Sequence, residues 1–111
     1  MTSYNCVILT GKVVTPPQRE YRPDGSPVIQ FPLELNDAKS IPGPKNQNWI
    51  LVVAVGELAE YDLDLLQSGR PLMVVGRLHQ RHWKTPEGIQ RTRMEVVATE
   101  FRTVEENPIE K

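Results

Sequence analysis

A single cysteine, Cys6, stands among 111 residues, so the chain can close no internal disulfide and can build no cysteine-rich zinc site. Cys6 lies in an apolar run, where a buried, inert thiol is expected. Long hydrophobic runs are also missing. None approaches the ~18 residues of a membrane span, and the opening MTSYN lacks the basic and apolar regions of a signal peptide. These absences predict a soluble, cytoplasmic protein with no membrane partner. There is no Gly-rich phosphate loop, no nucleophile elbow and no base–nucleophile pairing, so neither an enzyme nor a bound cofactor is expected. His79 and His82, three apart on a strand, point to opposite faces and are poorly spaced for chelation, so no metal site is expected.

What is present is unevenly distributed. The formal net charge is −1, but Arg70 to Arg93 holds six basic residues against Glu87 alone, a local charge of +5. The remaining residues carry seven basic and thirteen acidic groups, a charge of −6. A positive patch on an acidic body is where a polyanion docks, whatever the total charge. The segment GRLHQRHWKTPEGIQRTRMEVV (76–97) is the centre of that patch. At a period of two, Leu72, Val74, Gly76 and Leu78 share one strand face, and Arg77, His79, Arg81 and Trp83 the other. Cations can track a phosphate backbone while a flat ring stacks on an unpaired base. The same alternation fits a solvated hairpin in which Trp83 covers a barrel end.

Ten prolines and seven glycines argue for many turns and against a helical bundle. Strands are predicted over Cys6–Val14, Val28–Asn36, Trp49–Val55, Pro71–Trp83 and Gln90–Val104. Gly11 marks a bend in the first, and Pro32 favours an edge or bulged position in the second. Asp37–Gln47 reads as a loop. Trp49–Val55 is apolar on both faces, which predicts cover by the core on one side and by another chain or element on the other. Glu57–Gln67, with Leu58, Tyr61, Leu65 and Leu66 near one face, acids early and Gly69 at its end, predicts a helix. Five strands with a helix between the third and fourth is the order of an oligonucleotide/oligosaccharide-binding (OB) Greek-key barrel. A small SH3-like barrel is the alternative. One domain over 1–104 and a short extension, 105–111, are expected.

The stretches NCVILTGKVV (5–14), EYRPDGSPVIQFPLEL (20–35), NWILVVAVGELAE (48–60) and 76–97 resemble the bacterial single-stranded-DNA-binding protein family, in the family's order and nearly its spacing. The resemblance implies an OB-fold homodimer or homotetramer that binds single strands without turnover. It implies stacking by Trp49 and Trp83 and a basic role for Arg81. Arg77, Lys84, Arg91 and Arg93 are candidate phosphate contacts, with Lys12 and Arg22 as further candidates. Tyr21 and Phe31 are expected in the core. Ile50 and Val52 are the candidate residues of a subunit contact.

Several positions depart from the family pattern. Glu20 and Glu57 replace basic residues, Val55 replaces an aromatic, and a further tryptophan is lost near Lys39. Acids on a phosphate-binding surface weaken affinity and its salt dependence. The chain also stops at Asn107–Lys111, without the Gly/Pro/Gln-rich tail and acidic tip common in the family. That predicts an accessory member, of a phage type or like the tailless primosomal relatives that serve replication restart. A protein-interaction module with weak affinity for nucleic acid, and RNA as the ligand, remain the alternatives.

Overall fold

The structure, a computed structural model, describes residues 3–35, 48–60 and 66–104. Its strands are β1 (Val7–Val13), β2 (Glu20–Tyr21), β3 (Pro27–Leu35), β4 (Trp49–Val55), β5 (Pro71–Lys84) and β6 (Gln90–Thr103). They form one sheet in the order β1-β5-β6-β4-β3-β2, and β1 also pairs with β3. That second pairing closes β1, β5, β6, β4 and β3 into a five-membered ring, and the two-residue β2 hangs outside it. The pairings are antiparallel except for β4 with β6, which run parallel with Leu51 beside Glu95. The long crossover that parallel strands require is supplied by β5 and its connections.

Alternation sets the inside of the barrel. Ile29, Phe31 and Leu33 of β3 are buried while Gln30 and Glu34 are exposed, and Val52 and Ala54 of β4 meet them from the next strand. Phe31 and Phe101 lie tilted at 53° with centroids 5.8 Å apart, an edge-biased geometry worth about 0.5–1.5 kcal/mol beyond the area it buries. Pro32 lies between the β3 residues that β2 pairs and those that β1 pairs, so its missing N–H costs no ladder bond on that side. Its carbonyl still accepts from the Val14 N–H at 3.1 Å.

Two glycines allow the closure. A Cβ on Gly11 would overlap the Glu34 carbonyl oxygen where β1 passes from β5 to β3. A Cβ on Gly76 would overlap the Val97 carbonyl oxygen. At Gly76 the register slips, because Val75 faces Glu100 while Gly76 faces Ala98. The extra residue, Thr99, donates its hydroxyl to the Val75 carbonyl at 3.1 Å. Such a bulge bends and twists the pair. Beyond it, β5 from Arg77 to Lys84 is exposed throughout, so the hairpin leaves the barrel as a two-stranded arm.

Several expectations are corrected. In place of a helix over Glu57–Gln67, the described residues form a 3-10 helix, Gly56–Glu60. Gly56, at φ 68°, turns the chain off β4, and the tight turn brings Ala59 fully into the core with Leu58 packed against it. Arg19 Nε donates to the Ala59 carbonyl at 3.0 Å. Tyr61 and Leu65, the 37–47 loop with Lys39, and the extension 105–111 lie outside the described residues. Cys6 is exposed, since it precedes β1 instead of lying within it. Tyr21 is 64% exposed because β2 lies outside the ring. Leu78, expected on the inner face, is 41% exposed because it lies on the arm beyond the bulge. Val52 is fully buried in the chain's own core and offers no surface to a second subunit, while Ile50 is half-buried against that core.

Candidate nucleic-acid interface

A tight turn caps the arm. Thr85-Pro86-Glu87-Gly88 closes it with Gly88 N–H donating to the Thr85 carbonyl (2.8 Å) and Thr85 N–H to the Ile89 carbonyl (2.9 Å), Gly88 standing at φ 88°. The β2–β3 hairpin uses the same chemistry in Arg22-Pro23-Asp24-Gly25, with Gly25 N–H donating to the Arg22 carbonyl (2.8 Å) and Gly25 at φ 93°. Both put proline second and a left-handed glycine fourth, a type I turn completed by a glycine bulge. Asp24 Oδ1 additionally accepts from the Ser26 N–H (2.9 Å) and hydroxyl (2.7 Å). The Ser26 N–H is the main cause that holds the Asp24 carboxyl below its ordinary 3.8.

Across the arm, Arg77 faces Val97, His79 faces Glu95, Arg81 faces Arg93 and Trp83 faces Arg91. Alternation puts all eight on one side of the arm. The guanidinium carbons of Arg81 and Arg93 lie 5.7 and 5.5 Å from the Trp83 ring centroid, cation–π distances. None of Arg77, Arg81, Arg91 and Arg93 is ion-paired among the described residues. Lys84 pairs with Gln90 and points to the opposite side, so it does not join them.

The same side of the sheet continues onto β4. Trp49 opens that strand, 45% exposed, two residues before Leu51 as Arg93 is two before Glu95. Lys12 faces Glu34, which in turn faces Trp49. Lys12 also pairs with Pro71, about 30 Å along β5 from Arg81 at ~3.3 Å per residue, so it stands apart from the arm.

Between the arm and the β2–β3 hairpin runs a groove of about 570 Å³ that brings together Glu20, Arg22, Gln30, His79, Arg81 and Glu95. Arg22 and Arg81 thus line it from hairpins far apart in sequence. Glu57 lies elsewhere, in a shallow concavity with Val55, Leu58 and Thr99. The pair at the groove floor escaped the sequence reading. His79 Nδ1 and Glu95 Oε2 are 3.1 Å apart, and Glu95 is 5% exposed. A carboxylate can only accept, so Nδ1 is the donor. A His and a Glu sixteen positions apart show no local signal, and only the strand register joins them. Among the described residues no group of three or more His, Cys, Asp or Glu is arranged to hold a metal, and no helix is long and apolar enough to cross a membrane.

Comparison with known proteins gives a consistent result. The chain is 32% identical over 113 residues to the single-stranded DNA-binding protein of Thermotoga maritima, a match covering 99% of this chain and 80% of that one. It is 33% identical over 101 residues to its counterpart from Thermus aquaticus, covering 89% of this chain and 38% of that one. A crystal structure of a deletion mutant of the Thermus aquaticus protein superposes with a TM-score of 0.70 at 28% identity, over 97% of this chain and 45% of that one. A Plasmodium falciparum SSB in complex with ssDNA superposes with a TM-score of 0.75 at 22% identity, over 95% and 98% of the two chains, a likeness of fold. Residues 4–104 match the single-strand binding protein family, and with nearly its whole length so matched the chain belongs to that family.

Proposed function

We propose that this protein binds single-stranded DNA without catalysing a reaction. Bases stack on Trp83, and on Trp49 where the strand continues across β4, while phosphates pair with Arg77, Arg81, Arg91, Arg93 and Arg22. The observation that carries this reading is the group around Trp83, where two guanidiniums lie within cation–π distance of the indole and a third arginine faces it, with no ion pair to any of them among the described residues. Like charges set opposite one another across strands destabilise a hairpin, and a polyanion removes that cost. The aromatic ring supplies the part of recognition that phosphates lack, since every base has a face to stack.

In this reading the family's roles in replication, repair and recombination apply, in the cytoplasm at the nucleoid, with replication-restart proteins as partners. Self-association as a dimer or tetramer uses the open edge of β1 from Val7 to Thr10, where only β5 pairs and Ile8 is 61% exposed. Titration with pyrimidine oligonucleotides tests the proposal. Tryptophan fluorescence is quenched and affinity falls as salt rises; absence of quenching and of binding at low salt would end it.

A second reading, a protein-interaction module with weak affinity for DNA, is favoured by one observation: Glu20 lines the groove together with Arg22 and Arg81. Micromolar or weaker binding to every oligonucleotide, with tight association to a replication or recombination protein, would favour this module.

A further inference from the structure

His79 has one committed ring nitrogen and one free one. Nδ1 donates to Glu95 Oε2 at 3.1 Å, while Nε2 has no hydrogen-bond partner among the described residues. Glu95 is fixed in the sheet, opposite His79 on β5 and beside Leu51 on β4, with a side chain 7% exposed. Its Oε1 is buried without a partner, so among the described residues His79 alone answers this carboxylate. With the proton held on Nδ1, a neutral imidazole turns a bare lone pair outward at Nε2. A lone pair repels a phosphate oxygen. A second proton makes the same atom a donor and sets a positive charge on a side chain that is 54% exposed.

The charges around His79 make that proton matter. The β2–β3 hairpin brings Glu20 and Arg22 to the groove. On β5, Arg77 and Arg81 lie two residues to either side of His79, and β6 supplies Glu95 opposite and Arg93 on the diagonal. β3 and β4 add Val28, Gln30 and Val53, none of them charged. In the groove itself Arg22 and Arg81 stand against Glu20 and Glu95, so the formal charges cancel while His79 is neutral. A charged His79 tips the groove positive and completes a row of three cations with Arg77 and Arg81.

We propose that His79 is a proton-dependent phosphate contact: with Nδ1 committed to Glu95, Nε2 donates to the strand only from the charged ring, so single-stranded DNA binds with uptake of one proton. The inference rests on the proposed single-strand binding and adds a titratable contact to it. The proton passes from solvent to Nε2 and returns to solvent when the strand leaves. Coupling of this kind is reciprocal, so a proton that strengthens DNA binding is itself held more tightly by the DNA. Affinity therefore rises as pH falls.

Titrations of oligo-dT from about pH 5 to about pH 8 read the coupling, since histidine alone among ordinary side chains changes charge there and thymine does not. At fixed salt the wild-type affinity should rise on acidification, by no more than about tenfold per pH unit, the ceiling for one proton. The salt slope should be steeper by about 0.7 at the acid end, one added contact to a single strand. His79→Gln and His79→Arg both keep a donor for Glu95, which protects the fold. His79→Gln should lose the pH dependence and stay at the wild-type affinity of the alkaline end. His79→Arg should also lose it, but stay at the affinity of the acid end. Those separate endpoints distinguish a contact from a merely structural role, which would lower both variants alike. His82→Gln, opposite Thr92 on the other side of the arm, should keep the wild-type profile. A flat profile in a wild type that binds, or one that survives His79→Gln or vanishes in His82→Gln, would overturn the contact and leave single-strand binding intact. No binding at either end of the range would overturn the binding itself.

Discussion

Arg81 and Arg93 stand directly opposite one another on β5 and β6, and both guanidiniums approach the ring of Trp83. Two cations in register on an exposed arm repel each other. The Trp83 ring, close to both, offsets part of that repulsion through its negative face. Under the proposed binding mode the arrangement would couple stacking to phosphate binding, because a base on Trp83 competes with the guanidiniums for the ring and leaves them to the phosphate beside it.

The stacking half of this coupling is tested by Trp83→Ala. Loss of one base–aromatic stack should weaken oligonucleotide binding by ~1–3 kcal/mol. The fold should survive, because Trp83 lies on the arm and not in the core. Equilibrium titration alongside a thermal melt separates the two, and unchanged affinity in a folded variant would remove Trp83 from the site.

The phosphate half is tested by Arg93→Ala. Each phosphate contact to a single strand contributes about 0.7 to the slope of log affinity against log salt, so the slope should fall by about that amount. At low salt the free protein should become more stable, by about 0.2–1 kcal/mol, as the opposed charge on Arg81 is relieved. Lys84→Ala, on the far side of the arm, should change the slope less.

Much of this surface was legible in the sequence because strand alternation is a local property. Arg77, Arg81 and Trp83 share a face by spacing alone, and the turns at Pro23-Asp24-Gly25 and Pro86-Glu87-Gly88 carry their own chemistry. What escaped depended on register between strands. His79 meets Glu95 through the β5–β6 register, and Arg22 and Arg81 come to line one groove only after the sheet has curled. Lys84 was grouped with the arginines by charge alone, and the register puts it on the other side of the arm. The helix was expected from the spacing of Leu58, Tyr61, Leu65 and Leu66, but Gly56 at positive φ turns the chain into a 3-10 helix that ends at Glu60, with Leu58 packed against the core. Tyr21 was expected inside as is usual for such a barrel, yet β2 is an outer hairpin strand and leaves it exposed.

The closure of the barrel makes a sharper claim about stability. Gly76→Ala would drive its Cβ into the Val97 carbonyl at the bulge that launches the arm. A cost of about 1–3 kcal/mol is expected, as for other overpacked positions. Denaturant unfolding measures it. Gly88→Ala, where the added carbon meets nothing within 4 Å, should be milder and limited to the strain of its positive φ.

Asp24 gives a pH dependence with a defined sign. Its carboxyl is held below the ordinary value, chiefly by the Ser26 N–H, so in the folded turn it stays charged where the unfolded chain would take up a proton. Its contribution is complete above about 3.8 and is lost as pH falls through 3.8 and on through the lower folded value. Asp24→Ala should therefore be less stable than wild type at neutral pH, and the gap should close below pH 3.8. A gap that stays constant down the acid range would show that the charge contributes nothing.

Glu20 and Glu57 look equivalent in the sequence, as two acids where basic residues are usual, but the structure separates them. Glu20 lines the groove with Arg22 and Arg81, within reach of a strand seated there. Glu57 lies beside Val55 and Thr99, outside that groove. Charges farther apart than the ~8 Å screening length at physiological salt interact little. Glu20→Lys should raise single-strand affinity and steepen the salt slope by about 0.7, replacing a repulsion with a contact. Glu57→Lys should change both much less. Equal gains from the two would mean that the strand leaves the groove and crosses the 3-10 turn, and the path across β4 would have to be redrawn through Val55.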